Sequence, residues 1–342
     1  MILLSDLAFH KIKTMASYMK LRNLLLILLL IIAFTLFATI AFALPTAKIT
    51  AHVTDENGLP IKDAEVWITF MMPNKEGVGL GTQRNKGFSD SEGIFTTKGE
   101  GLESVSVSSR KEGYYKSGVG YKFKDRNLLG RWEPWNPTIE VVLKKKRNPV
   151  PMYAQKTQPL AIPLLDQPIG YDFEIGDWVT PHGNGNRTDL LFTCIHDFKA
   201  YRDAEFSCSI TFSNEKDGVQ EFVFKEGEQS YYKWPFEAPI EGYNHEPFKK
   251  WMSIHQPNEG YKSNINKNAN YIFRVRSETD EKGNISKANY GKIYGDFAVS
   301  RSGHIQFTYY FNPDGTRNLE FDMKKNLFNW SRDQREREVN NP

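Results

Sequence analysis

The chain has 342 residues, with 44 Lys and Arg against 41 Asp and Glu. Residues 1–43 hold Lys11, Lys13, Lys20 and Arg22 against Asp6, so the remainder carries 40 charges of each sign and no net charge. That balance excludes a nucleic-acid binder, which needs surplus Lys and Arg to displace counterions from phosphates. The length beyond residue 43 exceeds one small core and suits two domains.

Residues 24–43 form an apolar run broken only by Thr35 and Thr39. Lys20 and Arg22 precede it, and Ala41-Phe42-Ala43 ends it. A basic head, an apolar middle and a small-x-small exit are the layout of a secretory signal. The run is longer than the ~7–15 residues of a signal core and approaches the ~20 that span a bilayer. Residues 1–43 therefore read as a signal peptide cleaved after Ala43 or, alternatively, as a retained signal anchor. Either one exports the rest of the chain to the periplasm, cell surface or medium. Membrane contact is expected only through this segment, and only if it is kept. No Cys lies near the exit, so a lipid-modified N-terminus is not expected. Residues ahead of Met15 or Met19 read as an over-long start.

The next stretch alternates. Ile49, Ala51 and Val53 face one way, and Lys48, Thr50 and Thr54 the other. Asp55-Glu56-Asn57-Gly58 supplies a tight turn, because Asn and Gly tolerate positive φ. Ala64, Val66, Ile68 and Phe70 mark a second strand, followed by a Gly-rich excursion over residues 77–87. A turn at Asp90 and Gly93 opens another strand. Val105 and Val107 form the next, which Gly113-Tyr114 closes, and Ile139, Val141 and Leu143 form the last. Short alternating strands at this spacing predict an antiparallel β-sandwich over residues 44–144.

Gly58-x-Pro60-Ile61-x-x-Ala64-x-Val66, Asp90-x-x-Gly93-x-Phe95, Val105-x-Val107 and Gly113-Tyr114, in that order, resemble the carboxypeptidase regulatory-like domain. The resemblance covers residues 47–144. It implies a transthyretin-like sandwich, a non-catalytic module grouped with carbohydrate-binding-like folds, and it carries no catalytic residues. The chain departs from that pattern at residues 71–88 and 122–137, where inserted loops are expected.

Residues 145–157 read as a linker, with two prolines and a charge run. Strand signals return over residues 158–330. Phe206, Cys208, Ile210 and Phe212 alternate, as do Ile305, Phe307, Tyr309 and Phe311, with Asn312-Pro313-Asp314-Gly315 as a turn. Tyr271, Phe273 and Val275 form another strand. This predicts a mainly β chain whose second sandwich is of no recognised family and has a jelly-roll-like option. Residues 331–342 read as a charged tail, either a short helix or frayed. Cys194 and Cys208, on neighbouring predicted strands in an oxidising compartment, are expected to form a disulfide.

Catalytic and metal signatures are weak, and neither a cofactor nor a metal is expected. Asp90, Ser91 and Glu92 supply too few oxygens for Ca²⁺ and read as a plain turn. His52, His182, His196, His245, His255 and His304 show no zinc spacing. His245 and His255, with Glu246, read as surface or packing histidines. Asp172, Glu174 and Asp177 could supply the paired acids of glycoside hydrolysis, but a solvated strand edge is the plainer reading. Gly183-Asn184-Gly185 lacks the lysine and context of a phosphate loop and reads as a turn. The aromatic clusters carry more. Trp132 and Trp135 sit in a Pro-stiffened loop. Tyr231, Tyr232 and Trp234 form a second such cluster, with Trp251 soon after. Rings on rigid loops can stack on sugars, although core packing explains Trp equally well.

These readings point to an exported, non-enzymatic binding or structural protein of the cell envelope, with carbohydrate as the expected ligand. The alternatives are a glycan-acting hydrolase with its site in the second domain, and a protein-interaction subunit of an envelope complex.

Overall fold

The structure, a computed structural model, describes residues 19–32, 44–74, 79–257, 259–339 and 341–342. Residues 19–32 are helical. Among the described residues no helix is long and apolar enough to cross a membrane. The expected cleavage point after Ala43 lies outside the described residues. The chain is mainly β and divides into two compact units: Met1–Glu112 with Lys116–Leu143, and Gly113–Tyr115 with Lys144–Pro342.

In the first unit the strands are β1 (Thr46–Asp55), β2 (Glu65–Pro73), β3 (Leu80–Phe88), β4 (Ile94–Glu100), β5 (Ser104–Arg110), β6 (Ser117–Lys122), β7 (Asp125–Arg126), β8 (Trp132–Glu133) and β9 (Thr138–Leu143). They form a sheet of order β4-β1-β9, a sheet of order β3-β2-β5-β6 and a short β7-β8 ribbon. β1 runs parallel to β9, and the other pairs are antiparallel. The alternation seen in the sequence puts Ile49, Ala51, Val53, Val66, Ile68, Phe70, Val105, Val107, Val141 and Leu143 in the core. Gly99 has a steric reason to be glycine. A Cβ there would meet the Phe70 ring at 2.4 Å. The Asp90 turn is closed from within, since its carboxylate accepts the Glu92 and Ile94 amides at 2.9 Å.

In the second unit the strands are β10 (Val150–Lys156), β11 (Leu160–Ala161), β12 (Pro168–Asp172), β13 (Asp177–Trp178), β14 (Leu190–Ala200), β15 (Asp203–Thr211), β16 (Gly218–Glu221), β17 (Phe248–His255), β18 (Glu259–Ser263), β19 (Tyr271–Thr279), β20 (Ile285–Val299), β21 (His304–Asn312) and β22 (Phe321–Asn326). A seven-stranded sheet has the order β16-β19-β20-β21-β10-β22, with β11 beside β21. A six-stranded sheet has the order β13-β12-β14-β15-β17-β18. Their inner faces share one aromatic core. Phe173 stacks on Phe273 at 4.6 Å, and Tyr171 meets Phe307 edge-on at 5.3 Å. Cys194 and Cys208 lie opposite each other on β14 and β15 and are joined by a disulfide inside this core.

The seven-stranded sheet is buried on its outer face as well. Ile272, Lys292 and Tyr310 lie abreast there. Tyr232, Trp234, Ala238 and Leu319 cover Ile272 and Tyr290. Lys292 is fully buried among rings, its Nζ 4.6 Å from the Tyr310 centroid, 5.1 Å from Tyr232 and 5.4 Å from Trp234. Its amine donates to the Leu319 carbonyl at 2.8 Å. Burial holds the ammonium pKa well below the ordinary 10.5, against an upward pull from Glu320.

Two expectations need correction. Residues 150–156 are not linker but strand β10, because Met152 and Ala154 are apolar and fully buried and Tyr153 pairs with Phe311. The described part of the Gly-rich excursion is strand β3, held along β2 from Glu65 opposite Phe88 to Pro73 opposite Leu80. The charged tail takes the first of its two expected forms, a short helix. A 3₁₀ helix over Arg332–Arg337 leads to Val339, which packs with Met152, Tyr310 and Phe321.

The disulfide spans a sequence separation of 14. Replacing both cysteines by Ala is expected to lower unfolding stability by about 2–4 kcal/mol, measured by denaturant melts. Thiol titration of the unfolded, unreduced protein should find none free. For Lys292, the unfolded state binds the extra proton, so stability should rise with pH towards 10.5 across the window between the folded and unfolded values. Lys292→Met should abolish that rise. A pH–stability curve unchanged by the substitution would contradict the assignment.

Candidate functional site

Among the described residues the outer face of the six-stranded sheet is left open over β14, β15 and β17. β14, β15 and β17 alternate, so Cys194, Phe206, Cys208, Ile210, Met252 and Ile254 point into the core. The intervening positions point outward. Register places Ile195, Ser207 and Trp251 abreast, with Asp197, Glu205 and Ser253 in the next row. Together with Lys249 these residues line a groove of about 430 Å³. Ser207 and Ser253 keep its floor low, while Ile195, which is 55% exposed, and the half-buried Trp251 supply apolar surface.

The groove is stiffened from both sides of the sheet. On its own face, the Trp251 amide donates to Asn264 Oδ1 at 2.8 Å, and Asn264 Nδ2 donates to the Lys249 carbonyl at 2.7 Å. At one end His255 donates from Nδ1 to Asp203 at 2.7 Å and from Nε2 to Glu205 at 2.8 Å. Asp203, then Glu205, raise the His255 pKa above the ordinary 6.5. Beneath the floor, Lys250 points inward to Asp296 at 2.7 Å and to the Tyr271 hydroxyl at 2.9 Å. Burial, then the Asp296 charge, push the Tyr271 pKa up. An apolar ring beside serines, carboxylates and an ammonium can stack on a sugar ring and bond its hydroxyls.

The aromatic residues expected at a site are distributed differently. In the first unit Trp132 is half-buried, stacks on Phe123 at 5.8 Å and donates from Nε1 to the Gly101 carbonyl at 2.9 Å. Trp135 is half-buried between Arg131 and Lys98, at 5.1 and 5.8 Å. In the second unit Tyr231 is exposed, but Tyr232 and Trp234 are 0% and 2% exposed. Tyr232 stacks on Tyr115 at 4.7 Å, and Trp234 on Phe222 at 5.5 Å. Tyr232 and Trp234 therefore offer no face to a ligand, because they roof the outer face of the seven-stranded sheet. Trp251 stands in the sequence only as a neighbour of that cluster. The signal that marks it is Phe248-Lys-Lys-Trp-Met-Ser-Ile-His255, an alternating strand whose polar face carries a Trp.

The carboxylates do not form a solvated edge. Asp172 is buried and accepts the amides of Glu174, Asn186 and Arg187. Arg276 binds Asp189 through two hydrogen bonds, at 2.8 and 2.9 Å, and reaches Glu174 at 2.7 Å and Asp172 at 3.3 Å. Its backbone is held in the left-handed region at φ 57°, with its amide donated to Asp217. Burial pushes the Asp189 pKa up, and the bonds from Arg276 pull it back. Asp177 is engaged separately, tying the 183–185 turn through Asn184. His245 faces Glu246, away from any His255 contact, and the described residues hold no group of three or more His, Cys, Asp or Glu that could hold a metal.

Arg276→Met would leave Asp189 and Asp172 buried without their cation. The expected cost is about 3–5 kcal/mol of stability, read by thermal or denaturant unfolding. Arg276→Lys should recover little of it, since an ammonium cannot make the paired bonds to Asp189. Full recovery by Lys would argue against the forked geometry.

No protein-family model matches the chain, and no curated protein matches it in sequence. Among solved structures, 3-chlorocatechol 1,2-dioxygenase from Rhodococcus opacus 1CP is 14% identical over 30% of this chain, with a TM-score of 0.25. The chain spans 60% of that enzyme's length. The shaft pilin of Lactobacillus rhamnosus GG is 8% identical over 81% of this chain and 99% of its own, with a TM-score of 0.21. A streptococcal ancillary pilin is 9% identical over 80% of this chain and 62% of its own, at 0.20. Likenesses this low establish neither a family nor a function.

Proposed function

We propose that this is an exported, non-enzymatic binding protein of the cell envelope, with carbohydrate as its ligand and the outer face of the six-stranded sheet as its binding surface. The observation that carries the reading is the row Ile195, Ser207, Trp251 across a shallow groove edged by Asp197, Glu205, Lys249 and Ser253. A half-buried ring beside small floor residues and polar edges fits one face of a sugar chain. The apolar N-terminal run supports export. The first unit is proposed to be a carboxypeptidase regulatory-like module. Its buried Ile61, Ala64 and Val66, its Gly58 and Gly93 in left-handed backbone and its buried Val105 and Val107 fit that pattern.

A glycan array probed with the protein should identify a polysaccharide ligand. Trp251→Ala should then weaken binding by about 2 kcal/mol, or roughly thirtyfold, as truncation of a central ring does. The melting temperature should move little, because the ring is only half-buried. Glu205→Gln tests the polar edge separately. Undiminished affinity in Trp251→Ala, or an array without any binder, would overturn this reading.

A further inference from the structure

Leu128 is 96% exposed, the most exposed large apolar side chain among the described residues, and Leu129 beside it is 70% exposed. They form the apex of the β7–β8 ribbon. This apex is not a loose loop. The Asn127 side chain accepts the Leu129 and Arg131 amides, each at 3.0 Å. The Asn127 amide donates to the Arg131 carbonyl at 2.9 Å, and the Gly130 amide to the Asn127 carbonyl at 3.1 Å. Gly130 takes φ 70°, which a side chain would resist. A turn this well bonded holds two leucines in water although nothing in the turn requires them there.

The charges around the apex are arranged by distance from it. Arg126 and Arg131 stand nearest, Asp125 and Glu133 pair one rung below, and Lys124 follows. Glu133 is already engaged by Asn127 and by the Trp135 amide. The first charged ring behind the leucines is thus cationic. The half-buried Trp132 sits opposite Arg126.

The apex also lies where the chain enters the unit. The Thr46 amide donates to the Gly130 carbonyl at 2.9 Å, and Thr46 bridges Arg131. Two residues, Leu44 and Pro45, a reach of about 10 Å from residue 43 to Thr46, separate Thr46 from the end of the apolar run over residues 24–43.

We propose that the Leu128–Leu129 apex is a lipid-docking element, inserting into the headgroup–acyl boundary of an anionic membrane while Arg126 and Arg131 contact the headgroups. Exposed apolar tips backed by cations gain from apolar burial and from attraction to anionic lipid together. The site is separate from the glycan groove, and the proposal does not depend on it. A protein pocket is the competing occupant.

The full chain, with vesicles of phosphatidylcholine mixed with phosphatidylglycerol, provides the test. The native cysteines are bonded to each other, so Leu128→Cys accepts a single polarity-sensitive fluorophore. Asn57→Cys, in the turn at the other end of the ten-residue strand β1, about 30 Å away, is the control. The label at 128 should shift to an apolar emission and be quenched by acyl-chain-brominated lipid, while the label at 57 stays water-like. Adding Leu129→Ser should diminish the shift. Arg126→Gln should weaken insertion about fivefold, the worth of one cation near an anionic surface. A label at 128 that stays water-like while the chain floats with the vesicles overturns the proposal. So does an equal shift with phosphatidylcholine alone. Neither result bears on glycan retention, which Trp251→Ala tests.

Discussion

A sheet whose central strands are buried on both faces must find cover for the side chains they project, and the seven-stranded sheet of the second unit sets that requirement. Its inner face closes the aromatic core against the six-stranded sheet. Its outer face is met by Tyr232, Trp234, Ala238 and Leu319. A lone six-stranded partner can cover only one of these faces, so the irregular segment that carries Tyr232 and Trp234 serves as a third layer. The consequence reaches the function. Among the described residues the outer face of the six-stranded sheet has no such roof over β14, β15 and β17, and it is there that Trp251 meets solvent.

Lys292 shows how strict that cover is. Its stem crosses an apolar layer, and its amine ends among three rings with one carbonyl to bond. Removing an ammonium from water costs several kcal/mol before any compensation, and one carbonyl with the faces of rings offsets part of it. The Arg276 cluster solves the opposite problem. There several carboxylates are buried near one another, and a single forked cation holds Asp189 through two bonds while reaching Asp172 and Glu174. The left-handed backbone at Arg276, costly for a non-glycine residue, is held by Asp217 accepting the amides of Arg276 and Ser277.

Local alternation carried much of the fold into view. β1, β2, β5, β9 and β15 each turn an apolar face to a core, and period-two patterning follows directly from that, while β19 and β21 keep the inward alternation of Tyr271, Phe273 and Val275 and of Ile305, Phe307, Tyr309 and Phe311. The cysteine pairing was legible for the same reason, since two inward positions on adjacent strands leave little else for the sulfurs. β3 and β10 were obscured by their composition. β3 is Gly-rich and charged because it is a half-exposed edge, and β10 begins Val-Pro between a charge run and a polar stretch. Tyr232 and Trp234 misled on different grounds. Tyr232-Lys-Trp234 lies in coil, and coil is ordinarily surface, but here the coil is a roof. Which loops fold back over a sheet is decided by long-range packing that no local window contains. The same holds for Asp172, whose partner Arg276 is 104 residues away.

The groove itself depends on rigidity more than on any single contact. A flat strand surface with an exposed ring would bind weakly if the strands had to be ordered on contact, since fixing each mobile side chain subtracts about 0.5–1.5 kcal/mol from affinity. Here the ordering precedes the ligand. The Cys194–Cys208 bond locks β14 to β15 beneath Ile195 and Ser207. Lys250 and Asp296 bind β17 to β20 across the core, with Tyr271 completing the triad. Asn264 fixes the backbone at Trp251, and His255 clamps Asp203 and Glu205 at the groove's end. The disulfide and the Lys250–Asp296 pair lie beneath the outward residues of the groove, and the His255 clamp holds one of them, Glu205, in place. Ile195, Ser207 and Trp251 keep their outward surface for a partner, while their strands are held from below.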